Sequence, residues 1–423
     1  MEAYANALLI AIPLFLLLIL IEMGVGYWKN NNTYTVLDTV SSISSGMTNI
    51  LKDTLGLGLV LVSYPALLSF FGTETLKSDW WVWFLAFVFV DFAGYWNHRL
   101  SHKVNIFWNQ HMIHHSSESF NLSCALRQSI SNIIGYFPLL LIPAALFGIP
   151  YEMIAILTPI QLFAQFWYHT QHIGKLGVLE HIIVTPSQHR VHHAINVRYI
   201  DKNLGQVFSI WDRMFGTFQE ELDLDPPQYG VLKQVATWNP FTINFMHFWQ
   251  ISQDAWHTKS WLDKGRIWFM PTGWRPADVI TRYPIVGISD VFNFKRYEVK
   301  SSIFFKSYAV FQLLGVAAIL LLSLGAVGEV NSFILGLLAA YIGISIFSYS
   351  LFMDQWKWAV YAEFFRLFTG AGLLFWAWQT GLMPIHFSQW LGVLFFYVIA
   401  SLLLASYITY LEPKELLVKR QVA

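Results

Sequence analysis

The residues best suited to chemistry in this chain are its histidines. There are fourteen, and eleven of them lie between residues 98 and 193. Eight fall into three boxes: His98-Arg-Leu-Ser-His102, His111-Met-Ile-His114-His115 and His189-Arg-Val-His192-His193. Spacings of three and four put side chains on one face of a helix, so each box is expected to aim two or three imidazoles at one point. Imidazole suits iron, zinc and copper. Eight imidazoles exceed the roughly four ligands of one tetrahedral zinc. They suffice for two metal ions with open positions, which activation of dioxygen requires.

His169, in Trp167-Tyr-His-Thr, is a further candidate ligand. His172 and His181 are read as structural, as are the scattered His247, His257 and His386. The single cysteine, Cys124, allows no intrachain disulfide and no thiolate-based metal site or cluster. Asp91 stands two turns before His98 on nearly the same face. It either orients a ligand imidazole or makes a structural bond between helices. Glu22 is expected to snorkel at the end of an apolar run. Glu363 and Arg366, spaced i,i+3, are expected to pair. Glu118 is read as a surface ion-pair partner rather than a ligand.

The elements that carry these residues must live in lipid. Of 423 residues, 55% are hydrophobic and 12% charged, against roughly 25% charged in a soluble domain. The mean hydropathy of +0.46 agrees. Net charge is zero, so no nucleic-acid partner is expected. The fold class expected is all-α: a multi-pass helical membrane protein bearing a cytosolic His-box di-metal module. Apolar runs at 5–27, 54–72, 80–97, 131–148, 151–168, 303–324, 331–350, 358–380 and 387–410 suggest about nine spans. The first is read as a retained helix, since 7–21 lacks a basic leader. Gly148-Ile-Pro150 would join two of the runs into a tight membrane hairpin. Lys and Arg concentrate in 170–302 and the C-terminal tail (Lys414, Lys419, Arg420), which places the His boxes and the C-terminus in the cytosol. Four parts result: helices in 1–97, the catalytic module in 98–218, a polar cytosolic connector in 219–302 and further helices in 303–423.

HRLSH, HMIHH and HRVHH, in this order around a hairpin, resemble the fatty acid hydroxylase/sterol desaturase superfamily. Asn203-Leu-Gly205 and the run Trp211-Asp-Arg-Met-Phe-Gly-Thr-Phe218 resemble the stretch with which that family closes its module. The run His114 to Ser129, HHSSESFNLSCALRQS, is similar to the alkylglycerol monooxygenase branch. So are Tyr229-Gly-Val, the Trp274 region, Met353-Asp-Gln355, Glu363 and Arg366, which extends the likeness over nearly the whole chain. The resemblance implies that His98, His102, His111, His114, His115, His189, His192 and His193 hold two Fe ions. It implies dioxygen as co-substrate and a membrane lipid as substrate, with hydroxylation beside an ether oxygen that cleaves an alkylglycerol. The alternative within the superfamily is a sterol, carotenoid or fatty-acid hydroxylase or desaturase. The chain has no GxGxxG fingerprint, so an external electron donor is expected. Lys103 stands where animal members carry an acidic residue, which leaves the donor open between a tetrahydropterin and a redox partner.

Overall fold

The computed structural model describes residues 2–57, 59–72, 74–381 and 388–411. His386, Lys414, Lys419 and Arg420 lie outside the described residues. The architecture is helical, with one two-stranded parallel pairing of Leu59–Val60 and Ile134–Gly135. Among the described residues four helices, against the nine runs expected, are long and apolar enough to cross a membrane: Tyr4–Trp28, Ile303–Gly325, Ser332–Met353 and Leu391–Leu411.

The chain opens with α1 (Glu2–Trp28) and α2 (Val36–Thr54). The polar face of α2, with Ser41, Ser42, Ser44, Ser45 and Thr48, is buried. A helix with so many buried hydroxyls and so little hydrophobic content gives no span signal, and the sequence reading passed over it. The apolar run expected to span at 54–72 is not one helix. Gly56 in the left-handed region breaks it, and only α3 (Tyr64–Phe71) follows, started by Ser63 and stopped by Gly72. The run at 131–148 is likewise broken into α6 (Phe137–Leu140) and α7 (Ile142–Leu146). Each of these short helices carries a proline at its second position, where the missing N–H is tolerated at a helix start but cannot continue a helix from the preceding turn.

The site-bearing helices are α4 (Trp80–Lys103) and α5 (Asn105–His115), which pack against each other. The return arm of the hairpin is α8 (Tyr151–Ala164), continued by a 3₁₀ turn, Gln165–Tyr168. The third box lies on α9 (Pro186–His192), entered through a capping box of Thr185 and Gln188. After the short α10 (Ile210–Met214), the connector forms α11 (Pro240–His257), α12 (Trp261–Arg266) and α13 (Ala277–Arg282). The C-terminal bundle is α14 (Ile303–Gly325), α15 (Ser332–Met353), α16 (Ala359–Gln379) and α17 (Leu391–Ser406). Its apolar core takes in residues of α1 and α2, while a second core joins α3 and α4 to α6, α7 and α8. Within the bundle Glu363 and Arg366 pair as expected, with Nε–Oε1 at 2.9 Å and Nη2–Oε2 at 2.7 Å. Both are fully buried, and Tyr308, Gln312 and Tyr397 bond to them as well.

Candidate metal centre

The nine candidate histidines meet in two sets. His98, His102, His111, His115 and His192 form one, and His114, His169, His189 and His193 form the other; within each, one nitrogen per residue lies within 4.8 Å of all the rest. The expectation that each box aims at one point is corrected. The second box gives His111 and His115 to one set and His114 to the other. The third gives His192 to the first and His189 with His193 to the second. The reason is helical rotation of about 100° per residue. Pairs spaced i,i+4 (98/102, 111/115, 189/193) stay together, whereas adjacent histidines diverge and straddle the two centres. The sets touch through His115 and His193, whose rings stack with centroids 4.4 Å apart.

The nitrogens are spaced as ligands of a shared ion would be. His98 Nε2 and His115 Nε2 each lie 3.0 Å from His111 Nε2. In the second set, His189 Nε2 is 2.8 Å from His169 Nε2 and 3.0 Å from His193 Nε2, and His169 Nε2 is 3.3 Å from His114 Nε2. Two imidazole nitrogens about 2.1 Å from one ion sit roughly 3.0–3.4 Å apart, depending on the angle between them. The opposite edges of the rings are anchored. Nδ1–H donates to the carbonyls of Leu204 from His98 (2.9 Å), Arg127 from His114 (3.3 Å), Gln165 from His169 (2.9 Å) and Lys202 from His192 (3.0 Å). His102 Nδ1 faces Asp201 Oδ1 at 3.4 Å. Such bonds fix the tautomer and turn Nε2 inward as a lone pair. His102 Nε2 and His192 Nε2 are buried with no hydrogen-bond partner, an arrangement that costs free energy unless something takes the lone pairs. The residues therefore fit a pair of metal ions.

Electrostatics agree. Burial lowers the proton affinity of all nine, reinforced by neighbouring imidazoles at eight of them and at His102 by Lys103 against the opposing pull of Asp201; His98 and His114 come down to about 3. The rings are thus held neutral, the form that ligates.

The supporting residues come from elements distant in sequence. Asp212 accepts from Leu204 N (2.7 Å), Gly205 N (2.8 Å) and Thr217 Oγ1 (2.7 Å), and so shapes the loop whose carbonyl holds His98. Asn203, in the left-handed region, ties Gln188 to Gln219. A side chain at Gly205 would meet Phe208 O at 2.7 Å and Asp212 Oδ2 at 2.9 Å. Asp91 accepts from Val207 N, Phe208 N and Trp211 Nε1 at 2.8–3.0 Å. It is the structural tie between α4 and this loop, and none of its bonds goes to an imidazole. Arg127 is buried beside Asp38 of α2 (2.7 Å) and also donates to Ser42 and Ser116; its carbonyl anchors His114.

Other expectations need correction. Glu22 does not snorkel: it is buried and accepts from Tyr34, Thr170 and Leu122 N, which ties α1 to the residue after His169. Glu118, half-buried and not on the surface, accepts from Gln234 Nε2 and Tyr297 N and joins neither set of histidines. His172, His181, His247 and His257 join neither set. His247 bonds to Asn105 O (3.0 Å), and His257 stacks on Tyr283. Asp201, Asp212 and the Asp38–Arg127 pair were not singled out by sequence reasoning. The only signal was Asp212's place in the WDRMFGT run.

Residues 83–217 match the fatty acid hydroxylase family model. Alkylglycerol monooxygenase of Danio rerio is 35% identical over 84% of this chain and 79% of its own length. The chain belongs to the alkylglycerol monooxygenase family. The Homo sapiens alkylglycerol monooxygenase is 39% identical over 66% of this chain, which covers 61% of that protein's length. Ornithine lipid hydroxylase OlsE of Rhizobium tropici is 28% identical over 36% of this chain and 46% of its own. No solved structure matches. The matched domain holds all nine histidines, and the similarity to the alkylglycerol monooxygenases runs well beyond it.

Proposed function

We propose that the protein is a membrane-bound, dioxygen-dependent di-iron monooxygenase that hydroxylates, and so cleaves, alkylglycerol ether lipids. The observation that carries this reading is the convergence of nine imidazoles, seven of them buried and two half-buried, on two adjoining centres. When bound, two iron ions would supply the reductive activation of dioxygen needed to insert one oxygen atom into a C–H bond. Overall, a C–H bond, O2, two electrons and two protons give an alcohol and water. Hydroxylation beside the ether oxygen makes a hemiacetal, which collapses to a fatty aldehyde and a glycerol.

The chain's own contribution is positioning. His98, His102, His111, His115 and His192 would hold one ion; His114, His169, His189 and His193 the other. Backbone carbonyls and Asp201 fix their rings. The burial of the centre keeps bulk water from the reacting atoms. Two electrons come from an external donor, a tetrahydropterin or a redox partner. The module and the C-terminus face the cytosol, as the Lys/Arg asymmetry suggests. Similarity to alkylglycerol monooxygenases over most of the chain favours an ether lipid over the sterol, carotenoid or fatty-acid substrates of other branches.

The test is anaerobic purification, metal analysis and a reconstituted assay for aldehyde release from an alkylglycerol with each donor. About two iron ions per chain and iron-dependent aldehyde release are expected. One zinc per chain with no iron-dependent turnover would overturn the reading.

A further inference from the structure

The connector contains a helix with an aromatic outer face. On α11, the buried side carries Ile243, Asn244, Ile251 and Asp254, and His247 on the same side bonds to α5. The opposite side presents Phe245, Phe248, Trp249 and Trp256, exposed by 39%, 42%, 64% and 81%. At about 100° per residue these four fall within one face, at steps of three, four and seven. A helix facing water would put polar groups there. An exposed aromatic stripe of this kind marks an interaction surface or a membrane interface.

The surrounding contacts choose between the two. The N-cap of α11, Asn239, donates through Nδ2 to Phe347 O of α15 (3.2 Å), and the Phe241 ring lies 5.9 Å from that of Phe347. Phe347 belongs to a helix long and apolar enough to cross the membrane. It stands six residues before that helix ends at Met353, about 9 Å along the axis. Helices that lie in the interface sink about 5–10 Å below the head groups, so α11 starts at that depth. Beyond the stripe, Trp261 and Leu262 are also exposed. Lys259 is exposed at the same end, where a lipid phosphate would meet it, while Lys264 donates to Ala255 O and Trp256 O and Arg266 pairs with Asp263.

We infer that α11 lies in the bilayer interface with its aromatic face in lipid, rather than in a cytosolic connector. Its other face packs on α5, which carries HMIHH. The helix therefore holds the second His box at the membrane surface, where a lipid tail can reach it from the bilayer. This placement builds on the reading of the chain as a membrane lipid enzyme.

The test uses Trp249→Cys and Trp256→Cys in a Cys124→Ser background, each labelled with an environment-sensitive fluorophore in proteoliposomes. Leu224→Cys, at a fully exposed loop position early in the connector (99%), is the reference. Labels at 249 and 256 should be quenched by doxyl-labelled lipids and shielded from aqueous iodide at least several-fold relative to 224. Iodide quenching equal to that at 224 would overturn the inference. Shielding from both quenchers would overturn it too, since it would mean that protein covers the stripe. Quenching needs no turnover. A protein inert toward ether lipids but quenched by doxyl lipids would keep this placement and sink the proposed activity.

Discussion

Asp201 stands directly behind His102: its Oδ1 is 3.4 Å from Nδ1, while its Oδ2 is 2.6 Å from Lys103 Nζ. Burial pushes this carboxyl up, but hydrogen bonds from His102 and Lys103 outweigh that and hold it below its ordinary value. An anionic acceptor behind a ligand imidazole fixes its orientation and raises its basicity. Asp201→Ala is expected to weaken metal retention roughly 10–100-fold, with Asp201→Asn in between. Lys103→Met should have a small effect, because an exposed ion pair contributes only about 0–1 kcal/mol. Metal content after dialysis against a graded chelator measures all three; an Asp201→Ala protein that retains metal like wild type would remove Asp201 from the centre.

Replacing any one of the nine clustered histidines by Ala should abolish turnover and lower bound metal, with insertion into the membrane intact. The informative comparison is His192 with His257. His192 Nε2 is a buried, unpartnered nitrogen inside the first set, whereas His257 stacks on Tyr283 outside both. Normal iron and turnover in His192→Ala, with a dead His257→Ala, would place the site elsewhere.

Gly205→Ala probes the loop that anchors His98. The added methyl would press on a backbone oxygen and on Asp212, neither of which is a flexible chain end. Overpacking of this kind costs about 1–3 kcal/mol. The expected result is a lower thermal midpoint together with reduced metal content. A variant as stable and as fully loaded as wild type would show that the loop yields freely.

Acid should strip the centre. Each imidazole is neutral in the fold and has an ordinary value of 6.5 when free; in the fold His98 and His114 lie near 3. Below 6.5 the unfolded chain binds protons that the folded module refuses, so stability is fully present above 6.5 and falls as the pH drops toward 3. Bound metal, followed by elemental analysis after equilibration at stepped pH, should decline through that window. Full retention at pH 4 would contradict it.

Orientation can be read from outside the cell. A cysteine introduced near Lys233 should resist a membrane-impermeant thiol reagent applied to intact cells and react once the membrane is opened. Efficient labelling of intact cells would reverse the topology.

That the box histidines and His169 gather together, with the i,i+4 pairs side by side, was legible in the sequence. Histidine spacing is a local property, and a helix of 3.6 residues per turn converts it into a shared face without help from the rest of the fold. The same holds for Glu363 with Arg366. Apolar composition likewise announced a helical membrane protein. Interruptions were harder to read: the runs at 54–72 and 131–148 looked continuous by hydropathy, yet Gly56, Pro138 and Pro143 cut them.

What only the tertiary structure decided is which histidine serves which centre and what holds each ring. Helical rotation separates the adjacent histidines 114 and 115, and 192 and 193, but which set each one joins depends on how α4, α5 and α9 are packed. The acceptors behind the rings are mostly backbone carbonyls, of Leu204, Arg127, Gln165 and Lys202. Every residue has such a carbonyl, so sequence carries no mark of the ones that are used. Asp38 and Glu22 matter because long-range packing buries them beside partners 89 and 148 positions away, Arg127 and Thr170. Burial, which turns an ordinary polar residue into an obligatory partner, is a property of the assembled fold and not of the residue.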